Sequence, residues 1–288
     1  MDVTIDPGSG FCFGVNHAIQ IAEAELDAGN PVYSLGEMVH NRVQMDRLKA
    51  RGLEVISRQE LIGYRGKMVL FRAHGEPPDS FEMAKDLGVK VINATCPIVT
   101  RLQQKIRESA ESGLSKGSQL VIFGKPGHAE VTGLLGYAGS QAILVSNEND
   151  LGKLDFSKPV ELFSQTTMDA EAYQQIGEDI RRLMSEARNT DLVIHKSACR
   201  QVSGRAPALR VFAAEHDIIL FVGGSNSANG AYLFGVCKAT NSNSYFISDI
   251  HDIDPAWFTL ADSVGVTGAT STPGWLLVQV AEFIKKIQ

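Results

Sequence analysis

The chain has 288 residues, is 44% hydrophobic and carries a formal net charge of −6, from 27 Lys+Arg and 33 Asp+Glu. This length is enough to bury a sizeable core, whereas the acidic balance argues against a protein that binds nucleic acid or anionic membranes, since both depend on basic surface. The N-terminal MDVTIDPGSG lacks the basic start and apolar segment of a signal peptide, and no apolar run approaches the ~18 residues of a membrane span, so we expect a cytoplasmic protein without nucleic-acid or membrane partners.

Short apolar, β-branched runs alternate with amphipathic stretches along the whole chain. The predicted strands are residues 3–5, 31–35, 67–71, 89–93, 119–124, 142–146, 160–164, 191–195, 217–223, 244–248 and 263–267. The predicted helices are residues 15–28, 41–51, 79–87, 98–112, 130–137, 169–187, 204–215, 228–240 and 273–287. This alternation predicts an α/β fold with parallel sheets and helical crossovers.

Side chains capable of chemistry follow several of these strands. They are three cysteines and three histidines, namely Cys12, Cys96, Cys199, His40, His74 and His128. Ligands in parallel α/β sheets bind at the carboxyl ends of the strands, so we expect these side chains to converge on one centre. The recurrence of the layout predicts three similar, tightly packed α/β units: residues 13–97, residues 98–195, and residues 1–12 with 196–288.

The cysteines are spaced too widely for a zinc ribbon or a ferredoxin motif, in which ligands lie two to four residues apart. Cys12, Cys96 and Cys199 each lie on a loop beside small residues or proline, where an inorganic group can approach the backbone. Three thiolates on a four-iron cluster would leave one iron open for catalysis, by analogy with catalytic zinc. Cys237 lies on the apolar side of a predicted helix, and we interpret it as a core residue.

The three histidines occur beside glycine or small polar residues, in the stretches MVHNR, RAHGE and PGHAE. Converging imidazoles without an excess of acidic residues can bind zinc or phosphate, and the sequence leaves both open. Glu130 follows His128 in an apolar, glycine-rich context, which favours a raised pKa and a role in proton transfer.

Two late loops, GGSNSANG at 223–230 and TGATSTPG at 267–274, precede predicted helices. Backbone N–H groups at such helix N-termini form a natural anion site. Ser227, Asn229 and Ser271 would add side-chain donors to it. The stretch SQTT adds Thr166 and Thr167 at another strand end.

Taken together, the motifs resemble the 4-hydroxy-3-methylbut-2-enyl diphosphate reductase family, also called LytB or IspH. They cover nearly the whole chain, in the order GFCFGV, VHNR, AHG, ATCP, GHAEV, SQTT, an isolated third cysteine, SAN and TGATSTP. No single motif is specific, but their order, their spacing and their coincidence with predicted strand ends make the combination specific.

The resemblance implies a pseudo-threefold trefoil of three α/β units around a central 4Fe-4S cluster. It implies that the cluster ligands are Cys12, Cys96 and Cys199, that Glu130 is the proton donor and that Thr166 is its relay. It implies that the contacts to the diphosphate and hydroxyl groups of the substrate come from His40, His74, His128, Thr166, Ser227, Asn229 and Ser271. The implied reaction is reductive dehydroxylation of 4-hydroxy-3-methylbut-2-enyl diphosphate to isopentenyl and dimethylallyl diphosphate, the last step of the non-mevalonate isoprenoid pathway, with ferredoxin or flavodoxin as the electron donor.

The chain departs from the family pattern at two places. The family usually has two adjacent serines before the asparagine and a lysine nearby, whereas this chain has Ser227, Ala228 and Asn229 without the lysine, and Val202 stands where a threonine is frequent. These departures motivate a second hypothesis, a paralogous iron–sulfur reductase that acts on another small anionic substrate. A non-catalytic iron–sulfur sensor and a zinc hydrolase that uses the histidines are the remaining alternatives.

Overall fold

We describe the protein from a computed structural model that covers residues 1–114, 117–139, 142–225, 227–259 and 261–287. The strands in these ranges are β1 Asp2–Ile5, β2 Val32–Leu35, β3 Leu53–Ile56, β4 Met68–Phe71, β5 Lys90–Asn93, β6 Gln119–Phe123, β7 Ala142–Val145, β8 Val160–Ser164, β9 Leu192–Ile194, β10 Ile218–Val222, β11 Ser244–Ile247 and β12 Ser263–Gly268. The α-helices are α1 Phe13–Asp27, α2 Arg42–Ala50, α3 Pro78–Asp86, α4 Pro97–Leu114, α5 Ala129–Ala138, α6 Ala170–Glu186, α7 Arg200–Ser203, α8 Arg205–Ala214, α9 Ala228–Thr240 and α10 Gly274–Lys286.

Backbone hydrogen bonds join the described strands into three four-stranded sheets. Their strand orders are β1-β12-β10-β11, β3-β2-β4-β5 and β7-β6-β8-β9. The pairs β1–β12, β12–β10 and β10–β11 of the first sheet are parallel, as are β4–β5, β7–β6, β6–β8 and β8–β9. The prediction of parallel sheets with helical crossovers is therefore confirmed.

The chain divides into two compact units, Met1–Val55 with Gly204–Gln288, and Ile56–Ser203. In the first unit, strand β10 is an uninterrupted apolar run, as expected of a parallel strand that is covered on both faces. Leu220 packs into a cluster with Leu277 of α10. Phe221 points to the other face and packs with Leu209 of α8 and Leu233 of α9. Helices thus cover both faces of this sheet.

The second unit is built in the same way around strand β6. Val121 packs on one face of the sheet with Ile180 of α6. Ile122 packs on the opposite face with Ile106 of α4 and Leu134 of α5. Helices therefore close both faces of this sheet, which leaves the ends of the strands as the place for polar side chains.

The predicted helices and strands all occur, with ends that differ by at most two residues from the prediction. The prediction missed strand β3, which is only four residues long and includes the charged Glu54, and it missed the four-residue helix α7. The three-unit division of the chain at residues 13–97, 98–195, and 1–12 with 196–288 stays a prediction. Among the described residues, no helix combines the length and the apolar character that crossing a membrane requires.

Candidate functional site

Cys12 is the N-cap residue of α1, on the loop that follows β1. Its N–H donates a hydrogen bond to the carbonyl of Thr270 at 3.2 Å, which joins this loop to the loop after β12, the neighbouring strand. Gly10 has φ +108°, a left-handed conformation that favours glycine and that turns the chain toward the helix. The first thiol therefore lies at a helix N-terminus, where backbone N–H groups stabilise negative charge.

Cys96 and Cys199 lie in the second unit, and each precedes a helix. The N–H of Cys96 donates to the carbonyl of Ala73 at 3.0 Å, and the N–H of Cys199 donates to the carbonyl of Thr166 at 2.9 Å. Each cysteine is therefore hydrogen-bonded to the loop that follows the neighbouring strand of its sheet, β4 or β8. Cys12, Cys96 and Cys199 are all partly exposed, as a ligand must be if an inorganic group is to reach its sulfur.

Cys237 differs from the other three cysteines. It lies in α9 with no exposed surface and packs in the cluster that contains Leu233 and Phe221. Burial raises the pKa of its thiol to about 12, so this sulfur stays protonated at neutral pH. The structure confirms the interpretation of Cys237 as a core residue, because its side chain is fully buried among apolar side chains.

Glu130 lies in the first turn of α5 and is 2% exposed. Its carboxylate accepts two hydrogen bonds from Thr166, one from the backbone N–H to Oε1 at 2.7 Å and one from the hydroxyl to Oε2 at 2.9 Å. Thr166 is itself buried, on the loop after β8. The hydroxyl of the adjacent Thr167 instead accepts a hydrogen bond from the side chain of Gln165 at 2.7 Å.

The environment of Glu130 sets its protonation state. Burial is the largest influence and raises the pKa of the carboxyl group to about 7, although both hydrogen bonds from Thr166 act in the opposite direction by stabilising the carboxylate. A carboxyl group with such a pKa can hold and release a proton near neutral pH. The raised pKa expected from the sequence is present, and its cause is burial.

His128 and His74 lie together in the second unit. Their ring centroids are 5.5 Å apart with the planes at 75°, an edge-to-face arrangement. His128 is the N-cap residue of α5, and its Nδ1 accepts a hydrogen bond from the N–H of Glu130 at 3.2 Å. Because Nδ1 is the acceptor, the neutral form of His128 carries its ring proton on Nε2.

His40 lies in the first unit, on the loop between β2 and α2. Its carbonyl packs directly against Gly224, where a Cβ would lie only 2.2 Å from the oxygen. Only glycine allows this approach. The structure thereby joins the His40 loop to the loop that leads into α9, which carries Ser227 and Asn229.

Ser227, Asn229 and Ser271 lie together at the N-terminus of α9. Ser227 is the N-cap residue: its Oγ accepts a hydrogen bond from the N–H of Gly230 at 3.0 Å and lies 3.4 Å from the Oγ of Ser271. Asn229 donates from Nδ2 to the hydroxyl of Thr270 at 3.0 Å, while its buried Oδ1 meets no hydrogen-bond partner among the described residues. Hydroxyl groups, an amide and a helix N-terminus form a polar cluster suited to an anion.

Three residues of the first unit make contacts at the loops after β1 and β12, and the sequence analysis did not identify them as site residues. Asp6 and Arg205 form an ion pair with both side chains almost completely buried. Asp6 could have been identified from the sequence, because it is a charged residue directly after β1 and immediately before the loop that leads to Cys12. Thr270 is the third, because it accepts hydrogen bonds from both Cys12 and Asn229.

A family profile described as LytB protein matches residues 3–285. The chain belongs to the LytB family. Two relatives of this LytB chain, both 4-hydroxy-3-methylbut-2-enyl diphosphate reductases, match it along its length. The protein of Bacteroides thetaiotaomicron is 46% identical over 283 residues, which cover 98% of this chain and 97% of the relative. That of Porphyromonas gingivalis is 45% identical over 287 residues, which cover 99% of each chain.

Two solved LytB-like structures have the same fold. The E-1-hydroxy-2-methyl-but-2-enyl-4-diphosphate reductase of Plasmodium falciparum superposes with a TM-score of 0.85 at 24% identity, covering 98% of this chain and 87% of the other. A second, described as (E)-4-hydroxy-3-methyl-but-2-enyl diphosphate reductase, the terminal enzyme of the non-mevalonate pathway, has a TM-score of 0.75 at 31% identity, covering 99% of each chain. The α/β fold class with parallel sheets is therefore confirmed.

Proposed function

We propose that this LytB protein is an oxidoreductase that removes the hydroxyl group of 4-hydroxy-3-methylbut-2-enyl diphosphate and forms isopentenyl and dimethylallyl diphosphate, the last step of the non-mevalonate isoprenoid pathway. The observation that carries the proposal is full-length similarity to reductases of this name, at 46% and 45% identity. The buried Glu130, with its pKa of about 7, supplies a group suited to the proton transfer that this reaction needs.

The residues present fit an iron–sulfur cluster. Three partly exposed cysteines follow strands, and none of the four forms a disulfide. The fourth, Cys237, has no exposed surface and packs in the apolar core, away from any group that could reach its sulfur. We assign Cys12, Cys96 and Cys199 as the ligands of a 4Fe-4S cluster. When bound, such a cluster supplies electrons one at a time and offers one iron that lacks a protein ligand.

Glu130 is the proposed proton donor. Loss of a hydroxyl group as water requires a proton on the departing oxygen, and a carboxyl group with a pKa of about 7 holds that proton in about half of the molecules at pH 7. The two hydrogen bonds from Thr166 hold both carboxylate oxygens in a fixed orientation. Thr166 acts as the relay through which the carboxylate is reprotonated.

The diphosphate is the proposed ligand of the polar cluster at the N-terminus of α9. Ser227, Ser271 and Asn229 supply side-chain donors, and the helix N-terminus supplies backbone N–H groups and positive potential. His40, His74 and His128 are the proposed cationic or neutral donors to the diphosphate and the hydroxyl group. Ala228 occupies the first position of α9, directly after the N-cap.

The reaction needs an electron donor, and ferredoxin or flavodoxin is the class that we propose. The other proposed partner is the small diphosphate substrate. Location in the cytoplasm stays a prediction.

The test is anaerobic turnover. The protein is reconstituted with iron and sulfide, its iron content is measured, and oxidation of a reduced viologen dye is followed after addition of 4-hydroxy-3-methylbut-2-enyl diphosphate. Rapid dye oxidation with formation of the two C5 diphosphates is the expected result. A chain that holds its cluster but does not oxidise the dye would contradict the proposal and favour the paralogous reductase or the sensor. Binding of zinc without iron and sulfide would favour the hydrolase.

A further inference from the structure

Asp6 and Arg205 form a buried ion pair in the first unit. The guanidinium donates from Nη2 to Oδ2 of Asp6 at 2.7 Å, and the residues are 7% and 5% exposed for arginine and aspartate respectively. They are 199 positions apart in the sequence. Asp6 directly follows β1, and Arg205 is the first residue of α8. An ion pair so well shielded from water is costly to break, since removal of one partner leaves the other charge buried.

The carboxylate of Asp6 contacts both the Cys12 loop and the end of β12. Oδ1 accepts a hydrogen bond from the N–H of Gly8 at 2.8 Å, on the loop that leads to Cys12. Oδ2 accepts one from the hydroxyl of Thr267 at 2.7 Å, near the end of β12. Arg205 also donates to the hydroxyl of Thr267 at 3.3 Å.

These two loops carry groups of the candidate site. The first leads through Gly8 to Cys12, and the second leads from Thr267 to Ser271. They meet again at their far ends, where the N–H of Cys12 donates to the carbonyl of Thr270. The ion pair is therefore hydrogen-bonded where each loop begins, at Gly8 and at Thr267. The hydrogen bond between Cys12 and Thr270 joins the two loops where they end.

Gly8 leaves no room beside the guanidinium. A Cβ at this position would lie 2.2 Å from Nη1 of Arg205, so any larger residue would displace the guanidinium from its position. Burial by itself would raise the pKa of Asp6, but the hydrogen bonds from Arg205 and Thr267 outweigh it and hold that pKa below its usual value. The aspartate is thus present as a carboxylate that can accept all of these hydrogen bonds.

We propose that Asp6 and Arg205 are positioning residues that fix the Cys12 loop and the 268–271 loop relative to each other. The pair contacts the backbone N–H of Gly8 on the first loop and the hydroxyl of Thr267 at the end of β12, where the second loop begins. Neither residue of the pair is assigned a contact with the substrate or the cluster. The consequence for cluster binding rests on the proposed function, whereas the consequence for loop order does not.

The first experiment measures loop order in the full chain without metal. Amide hydrogen exchange of peptides that cover residues 6–13 and 268–272 is compared between the parent protein and the variants Arg205→Met, Asp6→Asn and Gly8→Ala. Gly8→Ala keeps both charges and displaces the guanidinium only by contact. We expect exchange in both peptides to become about tenfold faster or more, as when a segment opens locally more often, and Arg205→Lys to restore part of the protection.

Asp217→Asn is the matched control. Asp217 also accepts hydrogen bonds from two backbone N–H groups, those of Asp262 and Ser263 at 2.9 Å, but at the amino ends of β10 and β12 in the same sheet. This variant should leave exchange in the two loop peptides unchanged. Unaltered loop exchange in all three test variants, with native circular dichroism, would overturn the proposal.

The second experiment loads the same variants with iron and sulfide. We expect less iron per chain and an altered electron paramagnetic resonance spectrum in Arg205→Met and Gly8→Ala. Values should be intermediate in Arg205→Lys and close to the parent in Asp217→Asn. If the parent protein shows no turnover while the loop exchange responds as expected, the proposed function fails and the positioning role stands. A normal spectrum and normal iron content in Arg205→Met and Gly8→Ala would overturn the positioning role in cluster binding.

Discussion

The carboxylate of Glu130 accepts hydrogen bonds from both the N–H and the hydroxyl group of Thr166, at 2.7 and 2.9 Å. The two residues come from the first turn of α5 and from the loop after β8, which are connected to the neighbouring strands β6 and β8. Thr166 also accepts, through its carbonyl, the hydrogen bond from the N–H of Cys199. One residue thus contacts both the proposed proton donor and the backbone of a proposed cluster ligand.

Replacement of Glu130 by glutamine should abolish most of the turnover while the substrate still binds. Glutamine keeps an oxygen that can accept from the N–H of Thr166 but has no proton to donate at neutral pH, so we expect a loss of about 10²-fold or more in kcat. Single-turnover dye oxidation and substrate-induced spectral change measure the two properties separately. Glu161→Gln is the control, because Glu161 interacts with Ser109 and His195 instead. Full activity of Glu130→Gln would refute the assignment.

Replacement of Thr166 by valine should move the pH profile of kcat. The hydroxyl group stabilises the carboxylate form of Glu130, so its removal raises the pKa of that group above about 7. If the protonated form is the active one, the fall of kcat at alkaline pH should shift to higher pH in Thr166→Val. Thr166→Ser keeps the hydroxyl group and should keep the parent profile. A shift of the alkaline limb to lower pH in Thr166→Val would contradict this account.

Glu130 should make the folded protein less stable as the pH rises. Its pKa is about 7 in the folded state against 4.5 for the unperturbed group, so the folded state binds more protons between these values and the free energy of unfolding falls as pH rises through that interval. The full contribution is about 3 kcal/mol. Urea unfolding of the metal-free chain measures this effect. Between pH 4 and pH 8, the free energy of unfolding should fall more for the parent than for Glu130→Gln. Equal declines would mean that Glu130 is ionised at neutral pH.

Serine substitutions at the three partly exposed cysteines should each reduce cluster binding. Cys12→Ser, Cys96→Ser and Cys199→Ser remove a thiolate ligand, so the visible absorption of the reconstituted protein and its iron content should fall in each. Cys237→Ala is the control, since its buried sulfur is protonated and lies in the core. Loss of the cluster in Cys237→Ala, with the helical content of the parent, would contradict the ligand assignment.

Replacement of Ser227 by alanine should weaken substrate binding and the N-terminus of α9. The change removes the oxygen that accepts from the N–H of Gly230 and lies beside Ser271, and an N-cap replacement of this kind costs about 1 kcal/mol. We expect a higher KM for the diphosphate with a smaller change in kcat. Ser242→Ala, on the loop after α9, is a control outside the site. An unchanged KM in Ser227→Ala would remove this serine from the anion site.

The sequence alone determined the secondary structure and the candidate chemistry. Periodicity and apolar runs located the strands to within about two residues, because those patterns reflect local burial on one or two faces. Strand β3 was not predicted because it has only four residues, one of them the charged Glu54, and so shows no clear apolar run. The positions of Cys12, His128 and Ser227 after strands and before helices followed directly from these assignments.

The tertiary structure decided which distant groups contact one another. The contact between Asp6 and Arg205 depends on β1 lying beside β12 and on α8 packing against that sheet, and no local pattern encodes a separation of 199 residues. The pKa of Glu130 likewise depends on how completely the fold excludes water from its carboxyl group. Local sequence determines which residues form a strand or helix, but strand order and packing determine burial, and burial sets the strength of electrostatic interactions.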